Sequence, residues 1–130
     1  MGSYADDALF MSRNNIEYVE LISDDGKSKV MVIPAWQGRV MTTSAAGDEG
    51  DSYGWINYSF IKKRQIDLQF NPVGGEERFW LGPEGGVFSL YFRQGEKQIY
   101  KNWKVPPVLD IEAFKIQSQS KNCICLTKEG

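Results

Sequence analysis

Hydrophobic and polar positions change their period once along this chain. Tyr4, Ala8 and Met11, with Ala5 and Leu9 beside them, recur at helical spacing, and from Ile16 onward the period falls to two. The first pattern predicts one short helix from Tyr4 to about Arg13. Ser3 is placed to cap it, Asp6 and Asp7 occupy the first turn where the helix dipole favours negative charge, Arg13 lies near the end where it favours positive charge, and Asn14-Asn15 stops it. In the second pattern Ile16, Tyr18, Glu20 and Ile22 alternate with Glu17, Val19, Leu21 and Ser23. Asp24-Asp25-Gly26-Lys27 then turns the chain and Ser28 to Ile33 returns, which predicts a hairpin ended by Pro34. Ala35 to Ser44 is a further β-favouring run in which Gly38 marks a bulge or a close backbone approach, leaving Arg39 either a surface charge or a residue aimed at a site.

The middle of the chain is richer in turn formers. Ala45 to Tyr53 is polar and glycine-rich; its acids Asp48, Glu49 and Asp51 miss the spacing of a calcium loop, so a solvated loop is expected. Gly54 to Phe60 is aromatic and amphipathic, and alternation sets Asp51, Tyr53, Trp55 and Asn57 as a polar and aromatic wall. Lys62-Lys63-Arg64 reads as a solvent-facing basic turn. Gln65 to Phe70 places Ile66, Leu68 and Phe70 opposite Gln65, Asp67 and Gln69, a half-buried strand.

Asn71 to Phe92 then reads N-P-V-G-G-E-E-R-F-W-L-G-P-E-G-G-V-F-S-L-Y-F, a predicted strand, glycine-rich turn and second strand. Extended backbone at Arg78 to Leu81 puts Arg78 and Trp80 on one face and Phe79 and Leu81 on the other. After the turn, Phe88, Leu90 and Phe92 share the face opposite Val87, Ser89, Tyr91 and Arg93. Phe79, Leu81, Phe88, Leu90 and Phe92 are therefore the expected core, and Arg78, Trp80, Glu84 and Tyr91 are left to face a groove or solvent together. An indole beside a guanidinium and a carboxylate suits a sugar ring, whose C–H face stacks on aromatics while its hydroxyls meet planar polar groups. The alternative is an Arg78–Glu84 or Arg78–Glu77 ion pair bracing the turn, with Trp80 in the core. Beyond a turn at Gln94 to Lys97 come a short aromatic segment from Gln98 to Trp103 and a rigid connection at Val105-Pro106-Pro107. Ile111 to Ser120 and Asn122 to Thr127 follow as two strands joined near Lys121. Many short strands between turn residues predict an all-β protein, an antiparallel β-sandwich with a short N-terminal helix, in a single domain spanning residues 1–130.

Composition narrows the chemistry. A hydrophobic fraction of 42% and a charged fraction of 25% belong to a folded chain, and a formal charge of −2 without a basic run argues against nucleic acid as a partner. No apolar run has the length of a membrane-spanning helix, and no signal peptide pattern opens the chain. A mature exported protein would read the same way, and a periplasmic or extracellular site after signal removal is the expected localisation. The chain contains no histidine, which removes Ser-His-Asp, Cys-His and most catalytic zinc schemes and leaves carboxylates as the acid–base groups. Cys123 and Cys125 share one face of a strand and are expected to be small buried or half-buried hydrophobes, since two ligands do not make a metal site. No metal or cofactor is expected.

Three stretches, in this order, carry a family resemblance: Trp36-Gln37-Gly38-Arg39-Val40-Met41-Thr42, Asp51-Ser52-Tyr53-Gly54-Trp55-Ile56-Asn57, and Asn71 through Arg78-Phe79-Trp80-Leu81-Gly82-Pro83-Glu84-Gly85-Gly86. They resemble the N-terminal part of an uncharacterised bacterial family similar to the galactose mutarotase-like supersandwich proteins, the group that includes aldose 1-epimerases. The resemblance runs from Ala5 to Ser120 and implies the first half of a supersandwich. Epimerases of that fold use a histidine acid and a glutamate base from the later half; this chain has no histidine and lacks that half. The grouping of Arg78, Trp80 and Glu84 and this resemblance together lead to the expectation of a carbohydrate-binding or carbohydrate-related module with no catalytic residues and a saccharide as ligand, with Arg78, Trp80, Glu84, Arg39 and Tyr91, as read from the spacing, as the expected ligand-binding residues. The alternatives are a carboxylate-dependent sugar enzyme acting through Glu84 with Glu76 or Glu77, and a structural or interaction domain. Half a supersandwich leaves strand edges uncovered, so a homo-oligomer or pairing through those edges is also expected.

Overall fold

The computed structural model describes residues 2–129. Ser3 opens α1 (Tyr4–Arg13) with a capping box: its hydroxyl accepts from the Asp6 N–H while the Asp6 carboxylate accepts from the Ser3 N–H. β1 (Val19–Ile22), β2 (Lys29–Ile33) and β3 (Arg39–Ser44) form an antiparallel sheet in that order, with Val19 opposite Val32 and Ile33 opposite Arg39. The helix falls where the hydrophobic periodicity places it, while the first hairpin begins at Val19 rather than Ile16 and the third strand at Arg39 rather than Ala35. The bulge does not fall at Gly38. Met31 pairs with Thr42 and Val32 with Val40, so the extra residue is Met41. Gly38 instead follows a 3-10 turn at Pro34–Trp36, has φ of 66°, and allows a close approach: a Cβ there would lie 2.4 Å from Leu126 Cδ1.

α1 packs on β3, and Tyr4, Phe10, Met11, Met31, Ile33 and Met41 anchor the larger core. The loop after β3 is tied to the start of α1 through Tyr4 N–H to Gly50 O (2.9 Å) and Ala5 N–H to Asp48 O (2.8 Å). Asp7, buried in the first turn of the helix, accepts from the hydroxyls of Ser52 and Tyr58, and Ser52 in turn meets Thr42 Oγ1 at 2.6 Å. Asn57 caps a short helix, α2 (Tyr58–Lys62), which interrupts the alternating wall: Tyr53 and Trp55 are exposed, whereas Asn57 is turned to the cap.

From 63 to 106 the chain follows an irregular path, and here the strand predictions fail. Gln65 to Phe70 is not a strand, and Ile66 and Leu68 are exposed. Asp67 Oδ1 accepts from the Gln69 and Phe70 N–H groups, and the Asn71 amide bonds both the N–H and the C=O of Asp67 at 2.8 Å. Side chains thereby satisfy the backbone that a ladder would have used. The assignment of core faces after Arg78 also fails. Phe79, Leu81, Phe88 and Leu90 are exposed, whereas Tyr91 is fully buried and Phe92 half-buried. The turn is held by Ser89 Oγ–H to Glu84 O (2.7 Å) and by the Gln98 amide, which bonds both the N–H and the C=O of Gly86. With no neighbouring strand to set a pleat, strict alternation has no physical basis there.

Tyr91, Val105 and Leu109 form a second, smaller core with Phe70, Trp80 and Trp103 against it. Pro107 begins α3 (Pro107–Asp110), a single helical turn. β4 (Lys115–Gln119) and β5 (Ile124–Thr127) make the antiparallel hairpin around Lys121 that the sequence predicts, though its first strand starts at Lys115 rather than Ile111. Ile22 N–H to Lys121 O and Phe114 N–H to Pro34 O, both 2.9 Å, join this hairpin to the first sheet. Cys123 and Cys125 are exposed rather than buried because nothing covers their strand on that side; β4 is solvent-exposed along its whole length. The regular structure is therefore chiefly antiparallel β, in two sheets, with a short N-terminal helix.

Candidate functional site

The centre of the site is a residue that the spacing arguments passed over. Asp110, at the end of α3, is buried, and its carboxylate takes donors from Asn71 and Arg78 and faces Arg39 at longer range. Oδ2 accepts from the backbone N–H and the side-chain amide of Asn71, both at 2.8 Å. Oδ1 accepts from Arg78 Nη2 at 3.3 Å and faces Arg39 Nη2 at 3.9 Å. Arg78 Nη2 also donates to Leu109 O at 2.5 Å, and Arg39 Nη1 to Gly74 O at 3.1 Å.

The Gly74-Gly75 pair makes room for Arg39. At Gly75 φ is 109°, and a Cβ would meet Arg39 Cδ at 2.9 Å; at Gly74 a Cβ would meet Trp55 O at 2.3 Å. Arg39 is consequently not a surface charge but 3% exposed. Burial, and then the neighbouring Arg78, push its pKa down to about 10 against the opposing pull of Asp110, so it stays charged at neutral pH. Burial likewise lowers Arg78, with Asp110 working the other way. The Nε atoms of both arginines are buried without a hydrogen-bond partner.

Arg78 links this charged centre to an aromatic row. Its Cζ lies 4.3 Å from the Trp80 ring centroid and 5.8 Å from that of Phe70. Trp80 stacks on Tyr91 (5.0 Å, 19°), Tyr91 on Trp103 (6.1 Å, 17°) and Trp103 on Tyr100 (6.0 Å, 20°). Trp80 Nε1 donates to Glu84 Oε1 at 2.6 Å, and the Tyr91 hydroxyl to Leu81 O at 2.6 Å. Burial raises the Tyr91 pKa.

All five predicted site residues therefore belong to one chain of contacts, Arg39 to Asp110 to Arg78 to Trp80, with Glu84 and Tyr91 on Trp80. The ion pair is formed with Asp110 rather than with Glu84 or Glu77: Glu84 is taken up by the indole, and the Glu77 backbone bridges Val40. Asp110, Asn71, Trp103 and Tyr100 were missed. A buried and a half-buried arginine demand an acid, but the one that answers is 32 residues from Arg78 in sequence, beyond the reach of any spacing rule.

Two cavities flank the centre. A groove of about 510 Å³ runs past Tyr91 and Trp103 with Gln69, Arg93, Glu96 and Asn102 on its walls. A second cavity, about 440 Å³, is lined by Arg39, Asn71 and Asp110 together with Trp36 and apolar side chains. Among the described residues no three of His, Cys, Asp and Glu gather as a metal site, and no helix is long and apolar enough to cross a membrane.

An antiparallel β protein whose second core is an aromatic row on a two-arginine, one-carboxylate centre is the class that this geometry defines. The chain belongs to a family of unknown function, DUF6786, whose model matches residues 2–130. No curated protein and no solved structure matches it.

Proposed function

We propose that the protein is a carbohydrate-binding module without catalytic machinery of its own, built as the first half of a galactose mutarotase-like sandwich. The observation that carries this reading is the run of four near-parallel rings from Trp80 to Tyr100, of which Tyr91 and Trp103 line the 510 Å³ groove and the last, Tyr100, is 73% exposed. A pyranose offers an apolar C–H face to such rings and hydroxyls to the planar groups beside them, here Gln69, Asn102, Arg93 and Glu96. Tyr91 is the buried support of the row, and Arg78 and Glu84 hold Trp80 in its plane; Glu84 is exposed and commits only Oε1 to the indole. A glycan array followed by calorimetry on wild type and Trp80→Ala tests the reading. Saturable saccharide binding weakened by the substitution supports it, and no binding to any saccharide, or undiminished binding by the variant, overturns it. The carboxylate-enzyme alternative now rests on Glu84 with Glu77, because Glu76 is engaged by the N–H and hydroxyl of Thr43 (2.8 to 3.1 Å).

A separate observation favours self-association as a second reading. Val87, Phe88 and Leu90 form an exposed apolar run, and the β4–β5 hairpin is only two strands wide. Open edges and apolar patches favour pairing with a second copy. A monodisperse monomer by light scattering at high micromolar concentration would count against it.

A further inference from the structure

The cavity beside Arg39 is distinct from the aromatic groove, and its chemistry differs. Ile16, Trp36, Ile61 and Val73 supply apolar walls; Asp110 and Asn71 stand by Arg39, and Asn14, Asn15 and Gln65 add further polar groups to the lining. That guanidinium is almost wholly buried and underused. Of its five N–H donors, one finds a hydrogen-bond acceptor among the described residues, Gly74 O; Nε finds none there, and Nη2 stands 3.9 Å from Asp110, beyond hydrogen-bond reach. Asp110 has little left to offer, since Oδ2 serves the two Asn71 donors and Oδ1 serves Arg78. Two buried or half-buried cations therefore share one carboxylate, and a third, Arg64, also lines the cavity.

Nε is enclosed by protein and Nη1 is taken by Gly74 O, so Nη2 is the donor left for an incoming carboxylate or phosphate oxygen. A buried donor without an acceptor carries a desolvation cost that an anion in the cavity would remove. A volume of about 440 Å³ also lies in the range of small-ligand sites, which combine apolar walls with a few placed polar groups. We propose that this cavity binds a small organic anion with an apolar body, its carboxylate or phosphate held by Arg39 and its body against Trp36 and Ile16. A neutral sugar suits it poorly because the walls are apolar, and a cation would face uncompensated arginine. The proposal is independent of the carbohydrate reading, and its test uses a different ligand and a different cavity.

The test is a two-dimensional NMR titration of the full wild-type chain, following backbone amides, the Trp36 indole and the Arg39 Nε–H. Hexanoate and hexyl phosphate serve as probes, and hexanol as the neutral control. Saturable shifts centred on Arg39 and Trp36 are expected with one or both anions, the tighter of the two assigning the head group. Hexanol should bind about 10- to 100-fold more weakly, the equivalent of one charge-assisted hydrogen bond. Arg39→Lys, which keeps the charge and withdraws the Nη2 donor, should weaken the anion about tenfold or more. Because that residue is buried, the wild-type shifts and the hexanol comparison stand as evidence even where the variant does not fold. Absence of saturable shifts with either anion at millimolar concentrations, shifts centred elsewhere, or equal binding of hexanol would overturn the proposal.

Discussion

Replacing Asp110 by asparagine removes the one carboxylate that, among the described residues, faces both Arg39 and Arg78. The amide keeps the shape and one acceptor oxygen, but its NH₂ must turn either toward the two Asn71 donors or toward Arg78 Nη2, so donor meets donor on one side. Breaking a buried pair by neutralising one partner costs about 3–5 kcal/mol because the other charge stays buried. Arg39, with its side chain 4% exposed, cannot escape, whereas that of Arg78 is 20% exposed and can turn partly to water. That asymmetry places the expected loss near the lower end, about 3 kcal/mol. With a urea m-value of about 1–3 kcal/mol/M for a small domain, the midpoint should fall by about 1–3 M at unchanged m. Equilibrium urea unfolding followed by tryptophan fluorescence and by circular dichroism gives both numbers. A loss below about 1 kcal/mol with coincident transitions would refute the assignment of Asp110 as the residue that holds the two arginines.

Other outcomes follow from the same contacts. Gly75→Ala should lower stability by about 1–3 kcal/mol in thermal unfolding, because the residue sits at positive φ and the new methyl group presses on Arg39 Cδ. Burial and the bond to Asp7 raise the pKa of Tyr58, so the folded state keeps a proton that the unfolded chain begins to lose near pH 10. Its contribution is fully present below that pH and declines as pH rises above it; urea midpoints between about pH 9 and 11 should fall, and less steeply in Tyr58→Phe. Phe88→Ser, at a side chain 82% exposed, should change monomer stability by less than about 0.5 kcal/mol while reducing self-association in sedimentation.

The legible parts of this fold are those in which sequence neighbours decide the structure. The capping box spans four residues, the first hairpin closes over a short polar turn, and β4 and β5 meet across a few residues, so local pattern was sufficient for each. The stretch around Asp67 shows why the middle was not legible. Ile66, Leu68 and Phe70 alternate as well as any strand, but the Asp67 and Asn71 side chains capture the local backbone and no neighbouring strand competes for it. At Tyr91 the same alternation put the wrong face inward, because burial there follows stacking on Trp80 and Trp103 rather than a pleat. The grouping of Arg78, Trp80 and Glu84 was readable from spacings of two and four residues. Asp110 and Tyr100, which join that group only in three dimensions, were not.

The carbohydrate reading rests on the exposed end of the aromatic row, and Tyr100 is the place to strike it. Its ring stacks on Trp103 yet is largely in solvent, so Tyr100→Ala should leave the fold intact. Calorimetric titration of wild type and this variant with the saccharide selected on the array is the direct measurement. The account predicts binding that weakens about two- to tenfold on loss of the ring, the worth of one aromatic contact at about 0.5–1.5 kcal/mol. Equal affinity of the two proteins, each folded by circular dichroism, would contradict it.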